Sequence, residues 1–469
     1  MKRSLHCNFI TTYTGLPINQ MNNQGKLDTQ EKIASKNINV IPSGESILEK
    51  IGIDLTQIKL IKPRSKRSQY RAIINWLTKN FVNNHSDLEI LHPYFQTLYH
   101  LCQLKEWKSI QIILNIDISI NPEYFNLSLP LYEYLLFKKL PSQLLNISQE
   151  IIKSMVQTEV DITPLLMLKA RALSGISDKV EDGWNLFEEI CRQQPINSDL
   201  HIEAKTCLGI SMIELGFYKE GLQHIDTVLT LIDSHNKLNS NPKIQELKAD
   251  ILSTKGYYEM NSSHFAQAIE LYKQAATILK KLGLEHKLIS PLAHQGIIMR
   301  KKGKYEQAFN YLIEAKQKAR NINNEIDIAW VNHHLGYVVL NQGKTEFAQK
   351  LSESSLEAFR KIERKRGISD CYEQLGLINL AQKKFDEAEN NFKRSLNIRK
   401  SINNRHGEAS SLLDLALSSW HKKRYFKSLA FLWQGFKLYV KIGVLNRIRF
   451  FRMLKLAYVW ILGRRDSTM

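Results

Sequence analysis

Residues 293–308 read AHQGIIMRKKGKYEQA, and residues 333–348, 40 positions later, read HHLGYVVLNQGKTEFA. In both segments a mid-segment glycine is followed twelve residues later by alanine. The spacing recurs from Leu252 to Trp433 in five units. The first position is held by Gly256, Gly296, Gly336, Gly376 and Ala416, the position nine residues later by Phe265, Tyr305, Thr345, Phe385 and Tyr425, and the position twelve residues later by Ala268, Ala308, Ala348, Ala388 and Ser428. A fixed period of this size is typical of a stacked repeat array.

The spacing within one unit predicts a pair of antiparallel helices. Ser290 is expected to cap the first helix, with Pro291 in its first turn, where no amide donor is needed. Gly303 then opens the turn, and residues 306–320 form the second helix. The small residues allow the two helices to approach closely. A single hairpin cannot bury its own apolar face, so neighbouring units are predicted to stack.

The residues at these positions resemble the tetratricopeptide repeat. The pairs Leu335-Gly336 and Leu375-Gly376 match the family's Leu-Gly pair, and Ala268, Tyr272 and Ala275 match its second-helix trio. The usual period is 34 residues, so the 40-residue units resemble the long-repeat subclass found in polarity adaptors and bacterial scaffold proteins. The resemblance implies an all-α fold, a right-handed superhelical solenoid of antiparallel helix hairpins. It also implies a non-catalytic protein–protein interaction scaffold.

Four segments are predicted along the chain. Residues 1–65 are polar and are expected to be a mostly disordered tail, with a targeting segment as the alternative. Residues 66–200 are interpreted as degenerate helical repeats, or alternatively as an independent helical domain. Residues 201–442 form the regular array. Residues 443–469 are expected to supply a basic C-terminal capping helix and tail, because an array needs its ends covered.

No catalytic constellation is found in the sequence. It contains no phosphate-binding glycine loop, no His-Glu-x-x-His motif and no nucleophile elbow. The five cysteines are scattered without a Cys-x-x-Cys pair, which fits a reducing compartment. There is also no run of 18 apolar residues. We therefore predict a cytoplasmic protein that is not an enzyme and has no cofactor, no metal and no small-molecule substrate.

The resemblance implies that the first helix of each unit lines the concave face, where a peptide or helical segment of a partner protein would bind. Aromatic and cationic side chains are interleaved at the inward positions, and such residues often anchor partners. For Tyr257 and Trp330, packing between repeats is the alternative interpretation. The predicted binding residues are Tyr257, Arg300, Lys301, Trp330, His333, Tyr337, Trp420 and His421.

Some chaperone-binding members of the family hold a terminal carboxylate with a lysine three residues before the glycine and an asparagine one residue after it. This sequence has other residues at those positions. The first position holds Ser253, Ala293, His333, Glu373 and Leu413, and the second holds Tyr257, Ile297, Tyr337, Leu377 and Leu417. That clamp is therefore absent, which argues against a chaperone-adaptor role.

The net charge of +19 is concentrated near the end of the chain, where residues 393–469 carry 17 Lys and Arg against three acidic residues. An alternative function follows: a regulatory or sensor protein whose basic C-terminal region contacts an acidic partner, nucleic acid or an anionic membrane. The predicted basic patch comprises Lys422, Lys423, Arg424, Arg447, Arg449, Arg452 and Lys455. The last four lie in a predicted helix, Leu445 to Leu462. Its apolar stripe around Phe450 suits it to cap the final repeat.

Overall fold

The computed structural model describes residues 39–443, apart from residues 41, 55, 79–86, 121–126, 139, 156–158, 177 and 323. This part of the chain is predominantly α-helical, as the sequence predicted. The helices pair in succession into antiparallel hairpins that stack into a solenoid.

The amino-terminal part consists of eight helices in the described ranges. Ile73, Leu101, Ile113, Leu135 and Leu144 are almost completely inaccessible to solvent, and they share one apolar core. The bounds are α1 (Gly44–Lys50), α2 (Arg64–Leu77), α3 (Asp87–Leu104), α4 (Trp107–Leu114), α5 (Leu131–Phe137), α6 (Pro141–Met155), α7 (Thr163–Gly175) and α8 (Val180–Gln193).

A small antiparallel sheet interrupts these helices, and the sequence analysis did not predict it. Its strands, in spatial order, are β1 (Asn39–Val40), β2 (Asp117–Ile120) and β3 (Leu127–Pro130). Ile118 is paired with Leu129, and both side chains are buried. The alternation of Ile116, Ile118 and Ile120 with polar residues is the period-two signal that could have revealed a strand.

Six regular hairpins, numbered here as repeats 1 to 6, follow. Their second helices begin at Tyr305, Thr345, Phe385 and Tyr425 in repeats 3 to 6, with a constant 40-residue step. The short helix α11 (Asn236–Asn239) occupies the insertion between repeats 1 and 2. The repeats are α9 (Asp199–Leu215) with α10 (Tyr218–Ser234), α12 (Pro242–Asn261) with α13 (Phe265–Lys281), α14 (Ile289–Lys301) with α15 (Tyr305–Asn321), α16 (Glu325–Asn341) with α17 (Thr345–Lys361), α18 (Lys365–Ala381) with α19 (Phe385–Ser401), and α20 (Arg405–His421) with α21 (Tyr425–Lys441).

The turns inside repeats 2 to 6 have the same backbone conformation at equivalent positions. A left-handed residue ends the first helix in each of repeats 2 to 6, and successive examples are 40 residues apart. Glycine occupies two of these positions and adopts the conformation without steric cost. The others are held by side-chain-bearing residues, including Lys383 (φ 61°) and Lys423 (φ 57°). The set is Ser263, Gly303, Gly343, Lys383 and Lys423.

The repeated glycine is required by close helix packing. In repeat 3, a Cβ atom added to Gly296 would lie 2.9 Å from Cγ of Leu312 and 3.1 Å from the carbonyl oxygen of Ala308. In repeat 2, a Cβ atom at Gly256 would lie 3.0 Å from the ring of Tyr272. The short side chains therefore set the distance between the two helices of a repeat.

The prediction that Ser290 caps the first helix of repeat 3 is wrong. A 3₁₀ helix, Glu285–Leu288, runs directly into α14, which begins at Ile289 without a side-chain cap. Leu288 and Ile289 are both buried at this junction, so packing fixes the start of the helix. The Ser290 hydroxyl lies instead 3.3 Å from Nδ1 of His294.

The superhelix brings the last repeats against the first. The guanidinium of Arg405 lies 3.9 Å from the ring centroid of Phe217. The amide of Asn403 donates a hydrogen bond of 3.1 Å to Glu181, 222 residues earlier. One hydrophobic cluster joins Ile213 of repeat 1 to Leu413 of repeat 6.

The division into four segments stays a prediction. Within the predicted tail, α1 places Ile47 and Leu48 in the amino-terminal core. Within residues 66–200, consecutive helices contact one another as the repeats do. The predicted capping helix, Leu445 to Leu462, lies outside the described residues.

Candidate functional site

Six aromatic and imidazole rings form a continuous line on the first helices of repeats 2, 3 and 4. We call this line the aromatic row. Its neighbouring ring centroids are 5.9, 5.2, 5.0, 5.1 and 5.1 Å apart. In spatial order its members are Tyr257, His294, Trp330, His334, His333 and Tyr337.

Four members of the row were predicted from the sequence and two were missed. His294 and His334 each lie two residues before the repeat glycine, a position that the inward set did not include. They are 40 residues apart, so the repeat register itself could have revealed them. Their rings connect residues that are separated in sequence, because His294 lies between Tyr257 and Trp330.

The members of the row differ in how deeply they are buried. His333 is 4% exposed, and its carbonyl oxygen accepts a hydrogen bond of 2.8 Å from Gln374. Tyr257, Trp330 and Tyr337 are half-buried. Trp330 also packs against three apolar clusters of the solenoid. It therefore contributes to packing between repeats while part of its surface stays accessible.

The imidazoles of the row are uncharged at neutral pH. Burial lowers the pKa of His294 to about 4. Burial also lowers the pKa of His333 and, more strongly, that of His334. The row is consequently a neutral π surface, and not a cluster of positive charges.

An arginine contacts each end of the row. At one end, the Arg366 guanidinium donates a hydrogen bond of 3.0 Å to the Tyr257 hydroxyl and pairs with Glu214 at 3.3 Å. At the other end, the Arg300 guanidinium lies 4.8 Å from the Tyr337 ring centroid. Because α18 of repeat 5 reaches α9 and α12 in this way, the first helices of the repeats face one another across the solenoid.

A charged network lies beside the row in repeats 5 and 6. Arg399 is buried and pairs with Asp370 at 2.8 Å and with Glu373 at 2.5 Å. Burial opposes ionisation of Glu373, but the charge of Arg399 lowers the pKa of this carboxyl group to about 2. Ser410 donates a further hydrogen bond to Glu373. The network is therefore ionised and internally paired.

The remaining predicted binding residues are placed differently. Lys301 is exposed next to Arg300. The Trp420 ring packs edge-on against Tyr425 at 4.9 Å, and the His421 ring is stacked on Phe385 at 5.3 Å. Trp420 and His421 thus lie at the turn of repeat 6, and the His421 ring reaches the start of the second helix of repeat 5.

Only part of the predicted basic patch falls within the described residues. Lys422 pairs with Asp386 and, at 2.6 Å, with Glu389, which Arg424 also contacts at 3.4 Å. Lys423 is exposed. The other predicted members, Arg447, Arg449, Arg452 and Lys455, lie outside the described residues.

The described part of the chain contains neither a cluster of metal ligands nor a membrane-spanning helix. Within the described ranges, no three His, Cys, Asp or Glu side chains are grouped as metal ligands. Among the helices of those same ranges, none combines the length and the hydrophobicity required to cross a bilayer.

The family comparison matches residues 327–401 to the tetratricopeptide repeat. These residues are tetratricopeptide repeats. They comprise almost all of repeats 4 and 5. Repeats 2, 3 and 6 continue the same 40-residue register, whereas repeat 1 is offset from it by the insertion that contains α11. The tetratricopeptide repeat prediction is therefore confirmed, whereas membership of the long-repeat subclass stays a prediction.

Several solved structures have a similar fold. A Rap protein complexed with competence and sporulation factor is 12% identical, and the alignment covers 70% of this chain and 96% of that chain with a TM-score of 0.49. NprR in complex with its cognate peptide NprX is 16% identical over 69% and 96%, also with a TM-score of 0.49.

A third similar structure is the signal transduction ATPase with a tetratricopeptide repeat sensor from Pyrococcus horikoshii. It is 16% identical, and the alignment covers 86% of this chain and 74% of that chain with a TM-score of 0.38. No curated protein sequence matches the chain.

Proposed function

We propose that this protein is a non-catalytic scaffold whose aromatic row binds a linear segment of a partner protein. The observation that supports the proposal is the row itself. Half-buried rings from three successive repeats contact one another in T-shaped or tilted pairs, and their imidazoles are neutral. Aromatic side chains are enriched among the residues that dominate binding energy, because they offer large rigid contact surfaces.

The dimensions of the row suit an extended peptide. Each step between neighbouring centroids measures 5.0 to 5.9 Å. An extended chain advances roughly 3.3 Å per residue, so each step between rings corresponds to between one and two residues of a bound segment. Helical arrays commonly present such grooves to peptides or to amphipathic helices.

The scaffold role also agrees with the chemistry of the side chains in the row. The histidines are held by ring contacts, and burial raises the pKa of the neighbouring Cys371 thiol, which disfavours the nucleophilic thiolate. The carboxylates beside the row are engaged by Arg399. We therefore assign these groups to packing and recognition, and not to proton transfer.

The test compares partner capture by the full chain and by two variants. Replacing Trp330 and Tyr337 with alanine removes two rings of the row. Replacing Phe347, which is 44% exposed on the second helix of repeat 4, removes an aromatic ring elsewhere and serves as the control. Affinity capture with mass spectrometry should show partners retained by the wild type and the Phe347→Ala variant but lost from the double variant.

Because Trp330 also packs between repeats, the test includes Tyr337→Ala alone and a thermal melt of every variant. A folded double variant that retains all wild-type partners would contradict the proposal.

A further inference from the structure

Four arginines of the solenoid, of which Arg399 is buried and the other three are half-buried, fall into two groups. Arg366 and Arg399 pair with carboxylates, and these partners raise the pKa of both guanidinium groups despite burial. Arg300 and Arg364 differ, because neither has an ion pair or a side-chain hydrogen bond within the described part of the chain. Burial lowers the pKa of both. Partly desolvated charges without a partner are costly, which points to a role outside the folded chain itself.

Arg300 also breaks the pattern of its own array. It lies four residues after the repeat glycine, on the first helix of repeat 3. The same position in the other regular units is apolar, held by Met260, Leu340, Leu380 and Trp420. A charge is therefore not required there by the fold.

Arg364 breaks the pattern in a different way. It precedes α18, and the corresponding residues before α16 and α20 are Asn324 and Asn404. Both asparagines cap their helices by accepting backbone hydrogen bonds, whereas Arg364 makes no cap. A positive charge at a helix amino terminus is also opposed by the helix dipole. Repeat 5 thus has an arginine at a position where the asparagines of repeats 4 and 6 cap their helices.

Arg300 lies at one end of the aromatic row, and Arg364 lies near Glu214 and Arg366, the pair that contacts the other end. Arg300 contacts Tyr337 at one end. Arg364 is two residues before Arg366, which contacts Tyr257 at the other end. This inference rests on the proposed function: we propose that the bound segment is an acidic peptide, with separate carboxylates pairing with Arg300 and Arg364 and with apolar residues between them lying on the row.

The surroundings favour a peptide over a nucleic acid. Glu214 lies near Arg364, and Glu373 lies near Arg300. These carboxylates repel any anion that approaches the arginines, but they oppose a continuous run of phosphates more than they oppose two isolated carboxylates. Guanidinium groups bind carboxylates with paired, directional hydrogen bonds, so two arginines can define the positions of two acidic side chains.

The test uses a displayed library of random decapeptides, selected on the full-length protein. Peptides enriched on the wild type should carry Asp or Glu at two separated positions with apolar residues between them. The affinity of a selected peptide, measured by fluorescence polarisation, should fall about tenfold or more with each of the variants Arg300→Met and Arg364→Asn. Lys280→Gln, on the exposed surface of α13, is the matched control.

The two replacements are residues that other repeats already use at those positions, so each variant should melt at the wild-type temperature or above. Loss of binding together with equal or higher thermal stability is the expected result, and a purely structural role for the arginines would give lower stability.

Each of four outcomes would overturn the inference. If the enriched peptides lack acidic residues, or if the variants bind as tightly as the wild type, the two arginines do not bind the peptide. The proposal that the aromatic row binds a linear segment would still stand. Binding of a single-stranded oligonucleotide that is lost in both arginine variants would assign them to phosphate. If no peptide is enriched above background on the wild type, the proposal that the aromatic row binds a linear segment is overturned as well.

Discussion

The hydroxyl of Tyr257 accepts a hydrogen bond of 3.0 Å from Arg366, although the two residues are 109 positions apart in the sequence. The same guanidinium pairs with Glu214 in repeat 1. Arg366 therefore ties repeat 5 to repeats 1 and 2, across the face on which the aromatic row begins.

Replacing Arg366 with glutamine is expected to loosen the solenoid. The variant loses the pairing with Glu214 and weakens the contact with Tyr257, and charge-assisted hydrogen bonds contribute about 1.5–3 kcal/mol. Small-angle X-ray scattering should show a larger radius of gyration, and the midpoint of thermal unfolding should fall. Arg360→Gln is the control, because Arg360 donates its hydrogen bond to Tyr372, which is twelve residues away in the sequence. Equal scattering profiles for the two variants would show that Arg366 does not hold repeat 5 against repeats 1 and 2.

Stability is expected to decrease as the pH falls from about 6.5 towards 4. His294 has a pKa of about 4 in the folded protein, below the ordinary value of 6.5, so the unfolded chain binds a proton more readily. The stabilisation is complete above pH 6.5 and is lost as the pH falls towards 4, by roughly 2–3 kcal/mol for this residue. His294→Phe should reduce the dependence measured by denaturant titration between pH 6.5 and 5, to which His286, His333 and His334 also contribute because burial lowers their pKa values. The variant His235→Asn, at an exposed histidine, is the control.

Lys383 and Lys423 are expected to make the folded protein less stable than glycine at the same positions would. Lys383 and Lys423 adopt left-handed backbone conformations, at positions where repeats 3 and 4 have Gly303 and Gly343. Removing the side chain relieves a steric cost of about 1 kcal/mol. Lys383→Gly and Lys423→Gly should each raise the free energy of unfolding in urea by about that amount. Lys384→Gly, at a residue with φ of −88°, should not do so.

The last described helix, α21, exposes an apolar stripe that a following segment is expected to cover. Phe426, Trp433 and Val440 are seven residues apart and are 75%, 57% and 51% exposed. The predicted helix Leu445 to Leu462 carries a matching apolar stripe. Burying a large apolar side chain contributes about 1.5–3 kcal/mol. Deleting residues 443–469 should therefore lower the melting temperature and promote aggregation, measured by calorimetry and light scattering.

The control for this truncation is deletion of residues 466–469 alone, which leaves the predicted helix intact. A monomeric truncated protein with an unchanged melting temperature would contradict the capping prediction. It would favour the alternative that the basic helix lies on a membrane surface.

The sequence predicted those features that depend on local periodicity. The 40-residue register gave the spacing of the second helices. The assignment of Tyr257, Trp330 and Tyr337 to the concave face came from the family resemblance, and it stays a prediction. The register did not give the contact between Arg366 and Glu214, which depends on small rotations accumulated over several repeats. Arg364 was missed because it precedes α18 and so lies outside the inward positions of the first helices. The 40-residue register, which places it between Asn324 and Asn404, could have revealed it.

The contact between Phe217 and Arg405 changes how the array should unfold. In an open array each unit touches only its neighbours, so the terminal units fray first and the stability is a sum of local terms. Here repeats 1 and 6, the first and last of the regular hairpins, share one hydrophobic cluster, so that each stabilises the other. Loss of order at either end removes support from the opposite end. The six repeats should therefore melt as one cooperative unit, as a closed ring does.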